Sequence, residues 1–251
     1  MNFFNGKVLA FDKPYGVTSF KVVYKVRNTL TARMDGRKIK VGHAGTLDPL
    51  ATGVLLVCTG KATKKIEELQ MLDKEYEATL RLGATTASFD MEHPEDATFP
   101  VEHITRELVE NTLHKFEGDI LQTPPVFSAC KIDGKHAYHL ARRGKEVKLQ
   151  PKPIRIHAIE LLEYSMPNIR VRVHCGKGTY IRALARDIGQ ELGSGAYLTA
   201  LRRTRIGNFR ADTSLDPEKI GEWLDTVELE IPDITAAPTS TANKQKPDDT
   251  I

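Results

Sequence analysis

The feature that most constrains the fold is an unbroken apolar run at residues 54–57, "VLLV", which follows a turn-rich segment. Four consecutive apolar residues after a glycine predict a strand that is buried on both faces. The preceding segment contains Gly42, Gly45 and the dipeptide Asp48-Pro49. A carboxylate at the mouth of a buried strand can act as a nucleophile or a base, but in an Asp-Pro turn it can also bind its own backbone. The residues alone leave both interpretations open.

Elsewhere in the chain, the spacing of apolar residues indicates a mixture of strands and helices. Apolar and charged residues alternate in 74–83, and the same pattern in 155–165 and 168–176 predicts two antiparallel strands. Thr18 or Ser19 is expected to cap an amphipathic helix, and "GKGTYIRALARDIGQELG" predicts a glycine turn that leads into another helix. Because strands and helices do not alternate regularly, we expect an α+β fold with a central mixed or antiparallel sheet and flanking helices.

Charge and composition divide the chain into regions. Residues 1–210 carry 33 basic and 23 acidic side chains, whereas residues 211–251 carry three basic and ten acidic ones. A Pro-Pro pair, an Asp-Gly turn and many lysines and arginines in 124–152 predict a projecting basic hairpin-helix insertion, resembling a thumb. The chain is poor in large apolar residues from 231 onward, which predicts disorder. We therefore expect one domain over 1–230 and a disordered tail over 231–251.

The basic insertion is the best candidate for binding a polyanion. Lys135, Arg142 and Arg143 are interleaved with Tyr138 and histidines, so charges for phosphates stand beside rings for unstacked bases. A solvated helix face is the alternative interpretation. A second basic segment, "LRRTRIGNFR" (201–210), favours a long ligand such as RNA or DNA.

Several classes of protein are not indicated. The chain has no apolar run of ~20 residues and no signal peptide, so we expect a cytoplasmic protein without a membrane anchor. Ala62 follows the Gly-Lys pair where a phosphate-binding loop needs Ser or Thr. "TLDPLA" lacks the second aspartate of an aspartyl-phosphate phosphatase. No cysteines, histidines and acids stand at metal-ligand spacing, so neither a metal nor a cofactor is expected.

The segment "GHAGTLDPLATGVL" resembles the signature of the TruB-type tRNA pseudouridine synthases, with Asp48 at the catalytic aspartate. "FDKPYGVTSF", "KEYEATLRLG", "PPVFSACKIDGKHAYHLARRG" and "HCGKGTYIRALARDIG" resemble further blocks in the family's order, from about residue 8 to 210. The resemblance implies a pseudouridine-synthase fold and isomerisation of uridine-55 in the tRNA T loop to pseudouridine. In the implied reaction the enzyme flips the base out of its stack, and the glycosidic bond is cleaved and re-formed through Asp48. The reaction uses no metal or cofactor.

The resemblance also implies roles for individual residues. Asp48 would be the nucleophile or base, Arg182 its ion-pair partner, and Tyr76 the ring that stacks on the flipped base. Further contacts with the RNA are implied for His43, Lys64, Tyr180 and Leu201. From the residues alone, Tyr76 and Leu201 can equally be core positions, and Arg182 a charge on a helix surface.

Two departures from the family pattern accompany these expectations. Many bacterial relatives carry a C-terminal RNA-binding domain of the PUA type, which we expect this form to lack. His93 also stands where relatives often have glycine. We expect the partner to be the T stem-loop of tRNA and the protein to be a monomer. The alternative function, from another class, is a non-catalytic RNA-binding protein or tRNA folding chaperone on the same scaffold; a hydrolase that uses Asp48 ranks third.

Overall fold

The computed structural model describes residues 1–128, 131–132, 135–136 and 149–231, with backbone alone for 131–132 and 135–136. The strands within this part of the chain are β1 (Val8–Lys13), β2 (Val41–His43), β3 (Ala51–Thr59), β4 (Lys74–Leu82), β5 (Ala84–Thr86), β6 (Glu95–Thr98), β7 (Gly118–Gln122), β8 (Lys131–Ile132), β9 (Lys135–His136), β10 (Lys152–Ser165), β11 (Asn168–Cys175), β12 (Ala196–Ile206) and β13 (Phe209–Arg210). The α-helices are α1 (Ser19–Arg33), α2 (Ile66–Met71), α3 (Arg106–His114), α4 (Ile181–Glu191) and α5 (Ile220–Asp225).

Nine strands form one mixed sheet in the order β1-β3-β12-β4-β11-β10-β7, with β2 beside β3 and β13 beside β12. β3 and β12 run parallel, and the other neighbours in this sheet run antiparallel. The predicted α+β fold with a central mixed sheet and flanking helices is thereby confirmed. β8 and β9 pair antiparallel, as the sequence dipeptide Asp133-Gly134 predicted.

β3 is buried on both faces, as its apolar run predicted. Leu55 and Val57 face one hydrophobic cluster, which includes residues of α1, and Val54 and Leu56 face another. All four side chains are fully buried. A strand in this position holds the preceding loop, which carries Asp48, against the core on both sides.

Helix α1 begins where the sequence predicted a cap. The Thr18 side chain accepts a hydrogen bond from the Lys21 amide, which satisfies one of the free N–H groups of the first turn. Val22, Val26 and Leu30 recur at helical spacing and are buried. They join the same cluster as one face of β3.

The basic segment 201–210 was predicted to bind a polyanion at the surface. This prediction is wrong for Arg203, which is buried. The segment lies mostly in β12, in the middle of the sheet, and Arg203 is 2% exposed. The Arg202 guanidinium pairs with both carboxylate oxygens of Asp12, at 3.0 and 2.8 Å. Most of the charge in this strand is therefore held by partners within the protein.

Two expectations lie largely outside the described residues. The thumb-like insertion, expected at about 124–152, is described only at its two ends and along β8 and β9, and the tail is described only at Ile231. The domain boundaries therefore stay a prediction. Among the helices that are described, none is long and apolar enough to cross a membrane.

Candidate active site

Asp48 and Arg182 form an ion pair beside the central strand β12. Arg182 Nε lies 2.9 Å from Asp48 Oδ2. Asp48 stands in the loop between β2 and β3, and Arg182 is the second residue of α4. The arginine side chain is only 6% exposed, whereas that of the aspartate is 39% exposed. The pair thus combines a buried, fixed cation with a carboxylate that solvent or a ligand can reach.

The Arg182 guanidinium has three further partners. It donates to the carbonyl oxygens of Ser88, at 3.2 Å, and Phe127, at 2.9 Å. Its Nε also lies 3.7 Å from Oδ2 of Asp90, a carboxylate that is 8% exposed. A planar guanidinium held at several of its N–H groups cannot rotate, so it fixes the orientation of the carboxylate beside it.

The loop that carries Asp48 is anchored on both sides. Ser19 Oγ contacts both the amide and the carbonyl of Leu47, at 2.9 Å each. On the other side the ammonium of Lys13 donates to the carbonyl of Pro49 at 3.3 Å, and to that of Val17 at 2.7 Å. Burial lowers the pKa of Lys13 to about 8, against the opposing effect of the Asp48 carboxylate.

Glycine is required at position 53, where β3 pairs with β12. Gly53 has a φ of +103°, and a Cβ there would lie 2.1 Å from the carbonyl oxygen of Arg203. The Arg203 side chain donates to the carbonyls of Val54, at 2.8 Å, and Gly45, at 3.2 Å. This arginine thus connects the start of β3 to the glycine turn before Asp48.

A groove open to solvent adjoins the ion pair. Its polar end is formed by Asp48, Asp90 and Arg182. The rest is mainly apolar and includes Leu50, Met91, Leu198 and Leu201. Such a combination suits a flat ligand with an apolar ring at one end and a polar reacting centre at the other.

Tyr76 occupies the core beneath this region. It is 7% exposed and lies opposite Arg203 in the pairing of β4 with β12. Burial raises the pKa of its hydroxyl, which Arg203 opposes. Of the two interpretations of Tyr76, this structure places the side chain in the core, and it is not among the residues that line the groove.

The other predicted contact residues lie on different elements of the fold. Tyr180 precedes α4, and its amide donates to Gln122 Oε1 at 2.8 Å. His43 lies on β2; burial, assisted by Arg203, lowers its pKa. Lys64 is exposed on a 3-10 turn that contacts β2. The side chains of Lys135, Arg142 and Arg143 lie outside the described part. Of the predicted residues, the groove brings together Asp48, Arg182 and Leu201.

Asp90 is a member of this site that was not among the predicted site residues. It lies far from both Asp48 and Arg182 along the chain, and "SFDME" has no pattern that distinguishes a buried acid from a turn residue. Its burial beside an arginine is the feature that assigns it to the site.

Two family models match consecutive parts of the chain. Residues 28–181 match the TruB family pseudouridylate synthase N-terminal domain, and residues 182–228 match the tRNA pseudouridylate synthase B C-terminal domain. The chain belongs to the TruB family. In this TruB protein, Asp48 lies in the first matched segment and Arg182 begins the second, so the ion pair connects the two.

Relatives and solved structures agree with this assignment. The tRNA pseudouridine synthase B of Bacteroides fragilis is 62% identical over 233 residues, which cover 93% of this chain and all of that protein. The protein of the same name from Flavobacterium johnsoniae is 48% identical, over 85% of this chain and 94% of that one. A solved Cbf5-Nop10-Gar1 complex contains a chain that is similar with a TM-score of 0.67 and 31% identity; the match covers 90% of this TruB protein but 57% of that chain.

Proposed function

We propose that this TruB protein is a tRNA pseudouridine synthase that converts uridine-55 in the T loop of tRNA to pseudouridine. The main support is the half-exposed Asp48 carboxylate, held by a buried arginine at the end of an apolar groove. Relatives that bear the name tRNA pseudouridine synthase B match nearly the whole chain, which assigns the substrate class.

The reaction is an isomerisation, and its requirements fit the groups present. The bond between N1 of uracil and C1′ of ribose breaks, the ring turns over, and C5 bonds to C1′. C5 then loses its proton and N1 gains one, so no electrons are exchanged with another molecule. Asp48 acts at the sugar, either by attack on C1′ or as a base.

Arg182 orients Asp48 for this step. Its guanidinium lies 2.9 Å from the carboxylate and offsets the repulsion between that carboxylate and the phosphates of an RNA backbone. Because Arg182 is also bound to two carbonyls, the carboxylate is positioned before the substrate arrives.

The apolar part of the groove provides for the flipped base. Extruding a base from its stack costs a few kcal/mol, which apolar contact and stacking must offset. Leu201 contacts the target ring in this proposal. Binding of the RNA exposes Tyr76 from the core beneath the groove, so that its ring stacks on the base or assists proton removal from C5. Tyr180, His43 and Lys64 bind the neighbouring nucleotides. The thumb residues bind the T arm, and the protein acts as a monomer in the cytoplasm.

The test uses a T-stem-loop RNA that carries tritium at C5 of the target uracil, in the presence of EDTA. The unsubstituted protein should release tritium, and Asp48→Asn should release none. Asp212→Asn is the matched control, because Asp212 is an exposed aspartate paired with Arg210. Equal release by the unsubstituted protein and Asp48→Asn would overturn the assignment of Asp48. RNA binding without any release by the unsubstituted protein would favour the folding chaperone instead.

A further inference from the structure

Asp73, His157 and His174 come together on the solvent-facing side of the central sheet. His157 Nε2 lies 3.2 Å from Asp73 Oδ1, and His174 Nε2 lies 3.9 Å from Asp73 Oδ2. The centroids of the two imidazole rings are 4.7 Å apart. One ligand atom from each of the three residues lies within 4.8 Å of the others. The three side chains are thus convergent, although they are widely separated in sequence.

An irregularity in β10 places His157 in this cluster. The pairing of β10 with β11 shifts between Ile156 and Ala158, so that Ile156 pairs with Cys175 and Ala158 with His174. His157 is the extra residue of this bulge, and it is exposed rather than directed into the core. Bulges redirect side chains at defined positions of a sheet. Here the bulge brings a second imidazole beside that of His174.

We propose that Asp73, His157 and His174 form a binding site for a divalent transition-metal ion such as Zn²⁺. Two imidazoles and one carboxylate are a ligand set that first-row transition metals favour. Tetrahedral ligation at Zn–N and Zn–O distances near 2.0 Å places ligand atoms ~3.3 Å apart. The His157–Asp73 distance already has this value. The other pairs of ligand atoms lie within 4.8 Å of one another, so rotation of the partly exposed His174 side chain is needed to bring its nitrogen to the same spacing.

Three protein ligands would leave the fourth tetrahedral position of the metal for water. Glu75, the nearest further acid on β4, is bound by Thr204 Oγ1 at 2.9 Å and lies 3.7 Å from Arg205, so it is not counted as a ligand. Burial lowers the pKa of His174, which favours the neutral imidazole that binds metals. The proposal itself stands on the convergence of the three side chains.

A metal ion at this site would link three parts of the chain to one another. Asp73 lies immediately before β4, His157 lies on β10 and His174 near the end of β11. The glycine turn that follows β11 leads into α4, and therefore to Arg182. The site lies outside the groove and takes no part in the proposed reaction, so its role is to stabilise this end of the sheet.

The experiment measures Zn²⁺ binding by the full chain without an affinity tag, after treatment with EDTA and dialysis. Isothermal titration should give one saturable site, Co²⁺ should give visible d–d absorption, and Zn²⁺ should raise Tm. His157→Ala and Asp73→Asn should each weaken binding at least ~10-fold. Both residues are partly or largely exposed, so neither substitution removes a core side chain.

His114→Ala is the matched control, because His114 is exposed and has a single carboxylate, Glu117, 3.5 Å away. Its Zn²⁺ affinity should equal that of the unsubstituted protein. Absence of saturable binding, or equal binding by His157→Ala and Asp73→Asn, would overturn the proposal. Tritium release in EDTA is a separate measurement, so a failure of this proposal and a failure of the proposed function are distinguishable.

Discussion

The buried carboxylate of Asp90 lies 3.7 Å from Nε of Arg182, on the same guanidinium that pairs with Asp48. Asp90 Oδ1 also accepts a hydrogen bond from the Glu92 amide at 3.0 Å, so its own position is fixed. Arg182 is therefore located between two carboxylates of different exposure. The buried one positions the arginine, and the exposed one faces the groove.

Asp90→Asn should lower the rate of tritium release with little change in KM. The substitution removes a buried negative charge beside Arg182, which shifts the guanidinium and with it the Asp48 carboxylate. Misplacement of a reacting group by about 1 Å costs ~10²-fold in rate. Steady-state kinetics would separate kcat from KM, with Asp96→Asn as the control, because Asp96 is exposed. An unchanged kcat would show that Asp90 does not position Arg182.

Arg203→Met and Arg202→Met should differ in stability although the residues are adjacent. Arg203 is itself buried and donates to three backbone carbonyls, and the loss of these bonds should lower the free energy of unfolding by about 3 kcal/mol. The Arg202 side chain is 42% exposed in its pair with Asp12, so replacing it should lower the free energy of unfolding by less than about 1 kcal/mol. Urea unfolding followed by circular dichroism measures both. Equal losses would contradict the structural role of Arg203.

The triple variant Lys135→Ala, Arg142→Ala, Arg143→Ala should bind T-stem-loop RNA more weakly and with a flatter salt dependence. Each cation that neutralises a phosphate contributes about 0.9 to the slope of log K against log salt on duplex nucleic acid. Fluorescence anisotropy at several salt concentrations measures the slope. Arg33→Ala removes an exposed cation paired with Asp225 and should leave it unchanged. A slope equal to that of the unsubstituted protein would show that these three residues of the thumb do not bind the RNA.

The thiols of Cys58 and Cys175 should resist modification in the native protein. Burial raises the pKa of each from 9.0 to about 11, so at pH 8 only about one thiol in a thousand is ionised. In a Cys130→Ser background, Ellman's reagent should react slowly before guanidinium is added and with both thiols afterwards. Comparable rates in the two states would contradict their burial.

The same two thiols make stability depend on pH. Below pH 9 they are protonated in both the folded and the unfolded chain, so they add no pH dependence. Between pH 9 and about 11 the unfolded chain loses these protons first, and the free energy of unfolding should fall. Urea unfolding of a Cys58→Ala variant should show a smaller fall over that range.

Elements whose apolar residues form a continuous run, alternate with charged residues or recur at helical spacing were predicted from sequence. Elements without such a pattern were not. Burial can be inferred directly from the apolar run in β3 and from the helical spacing of Val22, Val26 and Leu30 in α1. β12 was missed as a strand because Arg202, Arg203 and Arg205 give it the composition of a surface. Only the tertiary structure supplies the carbonyls and acids that hold these cations.

Sites were predictable where a family motif names the residues, and not where folding alone brings them together. Asp48 and Arg182 were identified from the resemblance, and the structure places them 2.9 Å apart. Asp73, His157 and His174 have no recognisable spacing, and their convergence depends on a bulge and on strand register. Neither can be read from a single sequence.

The position of β12 between β3 and β4 has a consequence for synthesis of the chain. β3 and β4 are made early, but the place of β12 between them stays empty until the segment up to Ile206 leaves the ribosome. Until then the nascent chain presents open strand edges, which are prone to pair with other chains. Completion of the sheet and delivery of Arg182 to Asp48 therefore both await the last third of translation.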